Sequence, residues 1–353
     1  MMPATPSTFR RWQARLFSTP LQGAITLVIL AALTVAAVPL IRWALINATW
    51  QGTTRADCVP GGACWVFVKA RFLQFMVGFY PEAERWRAGL WALLAALALI
   101  ALIKAPAKHR GSVALGVVVL LPSLGIWLLA GGYGLKPVET RDWGGLMLTM
   151  FISIHAAFIA IPLGILLALG RQSKLPVIRL ISILFIEFWR GVPIIAVIFL
   201  ASLLLPLIMP SGVGVDRLAR AIIGLGLVIA AYMAEAVRGG LQALPSGQAE
   251  AATALGLGYW RATRLIILPQ ALRISLPAMT NEFIALIKNT TLVLVVSILD
   301  LLGVAQASIA DPNWVGMSME AFAFSGALYW LICFAISRWS LATEASLARA
   351  TER

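Results

Sequence analysis

The sequence predicts an all-α polytopic membrane protein with about eight transmembrane helices. Three observations carry that expectation. Of the 353 residues, 60% are hydrophobic and only 12% charged, whereas a soluble domain carries about a quarter charged residues. The apolar residues come in long runs, on the scale of the roughly 20 residues that cross a bilayer. Those runs lack the polar face that a soluble helical bundle keeps toward water.

In chain order the spans are expected at 21–41, 88–103, 112–130, 146–169, 180–208, 219–237, 276–302 and 321–340. The second is short and reaches back into RWRAGLW. The leading segment MMPATPSTFRRWQARLFSTP is basic, and the run after it is longer than a signal-peptide core, so it reads as a signal anchor.

The net charge of +13 would suggest nucleic acid in a soluble protein. Here no separate basic domain and no basic–aromatic motif occurs, so no nucleic-acid partner is expected. Lys and Arg instead gather in loops retained in the cytoplasm. They fall at Arg10, Arg11 and Arg15, at Lys104, Lys108 and Arg110, at Arg171, Lys174 and Arg179, at Arg238, Arg261, Arg264 and Arg273, and at Arg338, Arg349 and Arg353. Eight spans with both termini inside satisfy this pattern, although the outer loop 42–87 is basic too.

That loop contains Cys58 and Cys64 around VPGGA. Pro60, Gly61 and Gly62 allow a tight turn, and an external, oxidising side makes a disulfide a fair expectation, against two free thiols. Cys333, in the last span, reads as packing. A boundary is expected near GGYGLKPVETRDWGG at 131–145, with three spans before it and five after.

Signatures of catalysis are missing. There is no G-x-x-x-x-G-K-[ST], G-x-S-x-G or H-E-x-x-H, so no catalytic residue, metal ligand or cofactor is assigned to this chain. His109 reads as solvated charge in a basic loop, and His155 as a helix–helix hydrogen bond.

Charges inside spans are costly and normally face a cavity or a partner. In FIEFWRGVP, Glu187 and Arg190 are three apart and share a helix face. Pro193 removes a backbone donor and pushes Val192 out of the helix, so the span should kink or break there. A broken helix lines a cavity in many transporters; a self-neutralised Glu187–Arg190 pair beside an ordinary kink is the other reading. In NEFIALIKNTTL, Glu282 and Asn289 fall on one face, and Lys288, Asn289, Thr290 and Thr291 form a polar belt. Such groups join helices, but Lys288 also needs a counter-charge or water. Glu235 sits at an inner span end and reads as weak support for a site. Upstream of it, Gly226, Ala230 and Ala234 keep small-xxx-small spacing, which suggests close packing. Charges of both signs suit a zwitterion, with a cation for its carboxylate and an acid for its amine. Glu187, Arg190, Lys288, Asn289 and Thr290 are thus the candidate substrate residues.

The stretch EAATALGLGYWRATRLIILP, between two spans, reads as helix, tight turn, helix. Ser246 is the expected N-cap, Gly256 the left-handed stop, and Pro269 the end of the second run. Ala251, Ala252 and Leu255 offer a small apolar knob, which could plug into a groove on a partner or lie on the membrane.

Glu250-Ala251-Ala252, three residues, Gly256, nine residues and Ile266-x-Leu268-Pro269 resembles the full EAA signature of ABC importer permeases. RGVP at 190–193 and IKNTTL at 287–292 resemble motifs of the polar-amino-acid subfamily, with Val192 where that subfamily often has Thr. The resemblance covers roughly 140–345. The leading part, ADCVPGGACWVFVKARFLQFMVGFYP, looks like the general L-amino-acid permeases. The resemblance implies a type I importer permease core of five helices, 132–353, with a cytoplasmic coupling loop 238–275. It is preceded by a three-helix extension, 1–131, with a periplasmic loop at 42–87. It implies a multi-pass protein of a bacterial inner membrane that moves L-amino acids by alternating access. Glu250, Ala251, Ala252, Gly256 and Pro269 would couple to a cytoplasmic ABC ATPase dimer, which holds ATP and Mg. A second, related permease chain and a periplasmic amino-acid-binding protein complete the expected partners. An ion-coupled secondary transporter of a zwitterion, with Glu187 and Lys288 as coupling charges, is the alternative. A membrane enzyme is disfavoured by the absent motifs.

Overall fold

The computed structural model describes residues 16–106, 109–208 and 214–351. Arg10, Arg11, Arg15, Lys108 and Arg353, and the anchor segment before residue 16, lie outside the described residues. Regular structure among the described residues is helical: α1 Pro20–Ile46, α2 Trp65–Val77, α3 Arg85–Lys104, α4 Arg110–Ala130, α5 Gly145–Arg171, α6 Pro176–Gly191, α7 Ile194–Leu203, α8 Arg217–Gln242, α9 Gly247–Ala254, α10 Tyr259–Val296, α11 Leu301–Ile309 and α12 Ser318–Thr351.

Helices α1, α3, α4, α5, α8, α10 and α12 contain stretches long and apolar enough to cross a membrane. Helices α6 and α7 are long and apolar enough only together, as a pair bent by 101°, which brings the spans to eight if the pair crosses as one. The bend falls at Val192 and Pro193, where the sequence requires it. Val192 is extended (φ −93°, ψ 133°), because the proline ring excludes the helical region for the residue before it. The second span does begin in RWRAGLW.

The outer loop 42–87 contains a helix, α2, of 13 residues. Two expectations are corrected. The run after Gly256 is not a short helix stopped by Pro269; it continues as α10 for 38 residues. Residues Thr263–Ile267 widen into a π segment, with the Leu268 amide reaching back to Thr263, and this absorbs the hydrogen bond that Pro269 cannot donate. The span expected to reach 302 ends at Val296, because Ser297 turns left-handed (φ 58°) and Asp300 caps the separate helix α11.

Packing groups the chain into two units, Met1–Ala70 with Asp311–Glu320, and Arg71–Ala310 with Ala321–Arg353. In the first, α1 buries none of its side chains. The chain beyond it is tied by Thr49 N to Ala63 O (2.7 Å), Trp65 N to Thr49 O (2.9 Å) and Trp65 Nε1 to Ala44 O (2.8 Å). Cys58 and Cys64 are disulfide-bonded, with Cα atoms 5.5 Å apart. The carboxylate of buried Glu320 accepts from the Cys64 amide at 2.9 Å. Amide hydrogen bonds from Thr53 and then Thr54 hold the Asp57 carboxyl below the usual carboxylate range.

The second unit is built on α5 against α8. A methyl group on Gly164 would sit 2.7 Å from Met233 Cβ and 3.0 Å from the Ala230 carbonyl oxygen, and one on Gly226 would sit 2.9 Å from Ile159 Cβ. The small-residue spacing of α8 therefore brings backbone to backbone, as lipid-embedded helices require. Gly240 similarly seats α8 on Ala271 of α10. His155 on α5 joins helices, with Nδ1 at Phe151 O (2.7 Å) and Nε2 at Pro122 O of α4 (3.2 Å).

Gly164→Leu should therefore overpack the α5–α8 contact and destabilise the protein by about 1–3 kcal/mol. An unchanged melting temperature in detergent would contradict this packing. Cys58 and Cys64 should resist a maleimide until reductant is added; equal labelling with and without reductant would show free thiols.

Candidate functional site

The stretch between α8 and α10 is the first candidate. α8 ends at Gln242, and α9 is followed by Gly256 in the left-handed conformation (φ 73°). A side chain at Gly256 would be strained there, since only glycine takes that conformation without a steric penalty. The turn is closed by Gly256 N to Thr253 O (2.9 Å) and Leu257 N to Ala252 O (3.1 Å). Ser246 occupies the N-cap position but is itself helical (φ −55°, ψ −32°) and makes no capping bond with its side chain, which corrects the expected cap. Of the apolar knob, Ala252 is 1% exposed, packed on the chain itself, while Leu255 is 78% exposed. Glu250 and Ala251 also face outward. Gln270 Nε2 holds Gln248 Oε1 at 3.2 Å, fastening α9 to α10. Pro269 is exposed on α10 just beyond the π segment. At about 1.5 Å per residue, 38 residues exceed the roughly 30 Å hydrocarbon core. The first turn of α10 carries exposed Tyr259 and Trp260.

The second candidate is an ion cluster where α5, α6 and α8 meet. Glu235 on α8 is its hub. Its Oε1 accepts from Arg171 Nη1 at 2.9 Å, and its Oε2 from Arg238 Nη2 at 2.8 Å and Nε at 3.0 Å. Arg190 approaches Oε2 at 3.7 Å and lies over the Tyr232 ring at 5.8 Å. Glu187 pairs with the same Arg171 Nη1 at 2.9 Å. Glu187 and Arg190 thus share a helix face, as their spacing required, but they are joined through Arg171 and Glu235 rather than to each other. Arg171 is the last residue of α5. Its contact with Glu187 means that α6 crosses the end of α5 instead of running up along it, consistent with the 101° bend. Val177, Leu180, Ile181, Leu184 and Phe188 of α6 are exposed, and Ser182 and Ile186 are buried, so one stripe of this helix is left apolar and outward. Arg190 is also within electrostatic reach of Glu282 on α10.

The polar belt of α10 forms a third group. Lys288 is exposed and Asn289 half-buried. Lys288 has no ion pair among the described residues, and Cys333 of α12 is within its electrostatic reach. Thr290 is fully buried, donating to Ile287 O at 2.8 Å and lying 3.4 Å from Asp300 Oδ2. Asp300 is itself fully buried and accepts from Tyr329 OH at 2.7 Å and from the Gly303 amide at 3.0 Å. The next residue, Leu301, donates its amide to Thr149 Oγ1 of α5 at 3.0 Å. One carboxylate at the end of α10 away from α9 thereby helps tie α5, α10, α11 and α12 together. The five candidate substrate residues fall into two groups, Glu187 with Arg190 and Lys288 with Asn289 and Thr290, and no direct contact joins the groups. Sequence reasoning gave Glu235 little weight, read Arg171 and Arg238 as loop charge, and missed Asp300 and Tyr329. The available signal was an acid and arginine, Glu235 and Arg238, three apart at a helix end.

Residues 160–348 match the family described as binding-protein-dependent transport system inner membrane component. A relative in Escherichia coli (strain K12), the inner membrane amino-acid ABC transporter permease protein YhdY, is 48% identical, over 86% of this chain and 83% of that one. The glutamate/glutamine/aspartate/asparagine transport system permease protein BztC of Rhodobacter capsulatus is 36% identical, over 96% of this chain and 94% of its own. A solved structure, the crystal structure of an amino acid ABC transporter with histidines, is 29% identical with a TM-score of 0.51, over 57% of this chain and 92% of that one.

The hub predicts a stability effect. Glu235→Gln leaves Arg171 with Glu187 alone, and Arg190 and Arg238 without an ion pair among the described residues. A fully buried broken pair costs about 3–5 kcal/mol; with these arginines a quarter or more exposed, about 1–3 kcal/mol is expected. Thermal unfolding of the purified protein should register it, and a melting temperature equal to that of the parent would show that the cluster contributes nothing.

Proposed function

Because the chain belongs to the binding-protein-dependent transport system inner membrane components, and is thus the permease subunit of an ABC importer, we propose that its cargo is L-amino acids. Relatives named for amino-acid transport, one of them for glutamate, glutamine, aspartate and asparagine, support that substrate class. The inner membrane is where such components reside, and the long apolar helices fit it. ATP is hydrolysed, with Mg, on a separate cytoplasmic ATPase dimer. A second, related permease chain completes the pathway, and a periplasmic binding protein delivers the amino acid. With both termini cytoplasmic, the α9 stretch faces the ATPase.

The observation that carries the reading is the construction of that stretch. It is an eight-residue helix, closed by a left-handed Gly256 and fastened to α10, and it presents exposed Leu255 outward. A surface-bound lipid helix has no need of such a rigid closure, whereas a coupling element must pass displacement on. Glu250, Ala251, Ala252, Gly256 and Pro269 are assigned to it. ATP-driven closure of the ATPases pulls the docked α9, and α8 and α10 carry the movement inward. The cargo shifts the equilibrium only as far as it binds the two states differently. Lys288 and Asn289 are the residues of this chain assigned to substrate, since Lys288 offers an ammonium free of any ion pair among the described residues. Glu187 and Arg190 act beside them through the ion cluster, and Thr290 by holding the end of α10 to Asp300. An ion-coupled secondary transporter gives α9 nothing to do.

Gly256→Asp should abolish binding-protein-dependent uptake while the protein stays in the membrane, because a side chain is strained at this φ and adds a charge where α9 docks. Near-normal uptake by that variant would count against coupling through α9. Lys288→Ala should impair transport with the ATPase still copurifying; full transport would reduce Lys288 to packing.

A further inference from the structure

At the end of the second unit away from α9 lies a recess of about 550 Å3. Its walls come from the segment leading into α5, the first turn of α8 and the turn after α10. None of the residues discussed above for cargo or coupling lines it.

The hydrogen-bonding inventory of its walls is unbalanced. Arg217 and Arg220 are three apart on α8 and share a face, and both line the recess. Neither meets a carboxylate among the described residues. Arg217 Nη1 reaches only the Val296 carbonyl, at 3.5 Å, and Arg220 donates one Nη1 bond to the Ser202 carbonyl. Arg220 Nε is buried with no acceptor. The same is true of the indole Nε1 of Trp143, a lining residue that is 2% exposed. The acids of the recess are, by contrast, engaged. Asp216 caps α8 through Leu218 N (2.8 Å) and Ala219 N (3.3 Å) and takes the Thr140 hydroxyl at 2.6 Å. Glu139 pairs with Arg141 at 2.8 Å. Among the described residues, two guanidinium groups and an indole N–H therefore stand without anionic partners around one cavity.

A buried donor with no acceptor costs about 1–3 kcal/mol, so Arg220 Nε and Trp143 Nε1 suit a ligand that brings oxygen acceptors, and the exposed guanidinium of Arg217 adds positive charge at the same recess. A planar carboxylate meets guanidinium groups with two parallel hydrogen bonds. The volume lies within the range of about 300–1,000 Å3 typical of small-molecule sites.

We propose that this recess is a second amino-acid site, where the carboxylate of an α-amino acid is held by Arg217 and Arg220 before the molecule enters the helices. The proposal rests on the amino-acid reading of the function, under which this end of the core faces the periplasm. Two cations without acid partners make the site prefer anionic or neutral amino acids to arginine or lysine.

The test uses the assembled complex in nanodiscs without its binding protein, with labelled L-glutamate as the probe and L-arginine as competitor. Wild type should bind L-glutamate in the millimolar range, and Arg217→Gln and Arg220→Gln should each weaken that binding about tenfold or more, the loss of a charged hydrogen bond. L-arginine should compete poorly. Arg217 is exposed, so its replacement spares the fold, and Arg217→Lys should restore part of the binding by keeping the charge. Unaltered binding in both glutamine variants, or no wild-type binding at millimolar glutamate, overturns the site. Wild-type uptake with the binding protein present is measured alongside. Absent amino-acid uptake counts against the importer reading, whereas normal uptake with a recess that binds nothing overturns the recess alone.

Discussion

Backbone contact between α5 and α8 is the constraint from which the rest of the structure hangs. Lipid tails are as apolar as leucine, so transmembrane helices gain little by hiding hydrophobic surface from lipid and must gain from close packing. Gly164 and Gly226 provide it, because each leaves a gap that the facing helix fills. With α5 and α8 locked, their ends become fixed points. Arg171 at the end of α5 and Glu235 near the end of α8 are brought to 2.9 Å, and α6 is drawn across them through Glu187 and Arg190. At the other end of α5, Gly145 N bonds Leu299 O at 3.0 Å and Thr149 accepts the Leu301 amide. That anchors the turn after α10.

The two ends of this frame differ in character. At the α9 end the ties are ion pairs between partly exposed groups, which exchange partners at modest cost. At the opposite end the tie is a buried carboxylate, Asp300, held by neutral donors, which is costly to leave unsatisfied. A frame that is adjustable where α9 attaches and firm where it does not suits the proposed route of work. Under the proposed coupling, displacement of α9 would pass first to the last turn of α8, where Arg238 also holds Gln242 at 2.7 Å. It would pass also to α10 through Gln270. The break at Val192–Pro193 lies beside the same cluster.

Much of this was legible in the sequence, and for local reasons. A proline after Val192 dictates a break whatever packs around it, and Gly256 announces a left-handed turn by its position after an alanine-rich run. Small residues on α8 give the packing face by spacing alone. The failures concern either context or distance. Ser246 is a good capping residue that the adjoining proline turn keeps helical, so its hydroxyl is not used. Pro269 is a strong helix breaker, yet a π segment one turn earlier supplies the slack. The Arg171–Glu187 and Arg171–Glu235 pairs join residues 16 and 64 positions apart, and no periodicity reveals such meetings. Thr290 reads as part of a polar belt, but α10 turns it inward onto Asp300, an acid that sequence reading left inside a span without a role. The family resemblance pointed to the α9 stretch and not to the ion cluster around Glu235.

The claim on which the functional account stands is that α9 touches a separate ATPase in the working assembly. Leu255 is its most exposed apolar side chain, and a cysteine there can be cross-linked to cysteines placed on the ATPase surface. The account predicts a cross-linked product of permease and ATPase, with a yield that changes when ATP is bound. Uptake that proceeds normally while Leu255→Cys yields adducts with lipid or solvent-borne reagents only, and none with the ATPase, would contradict it.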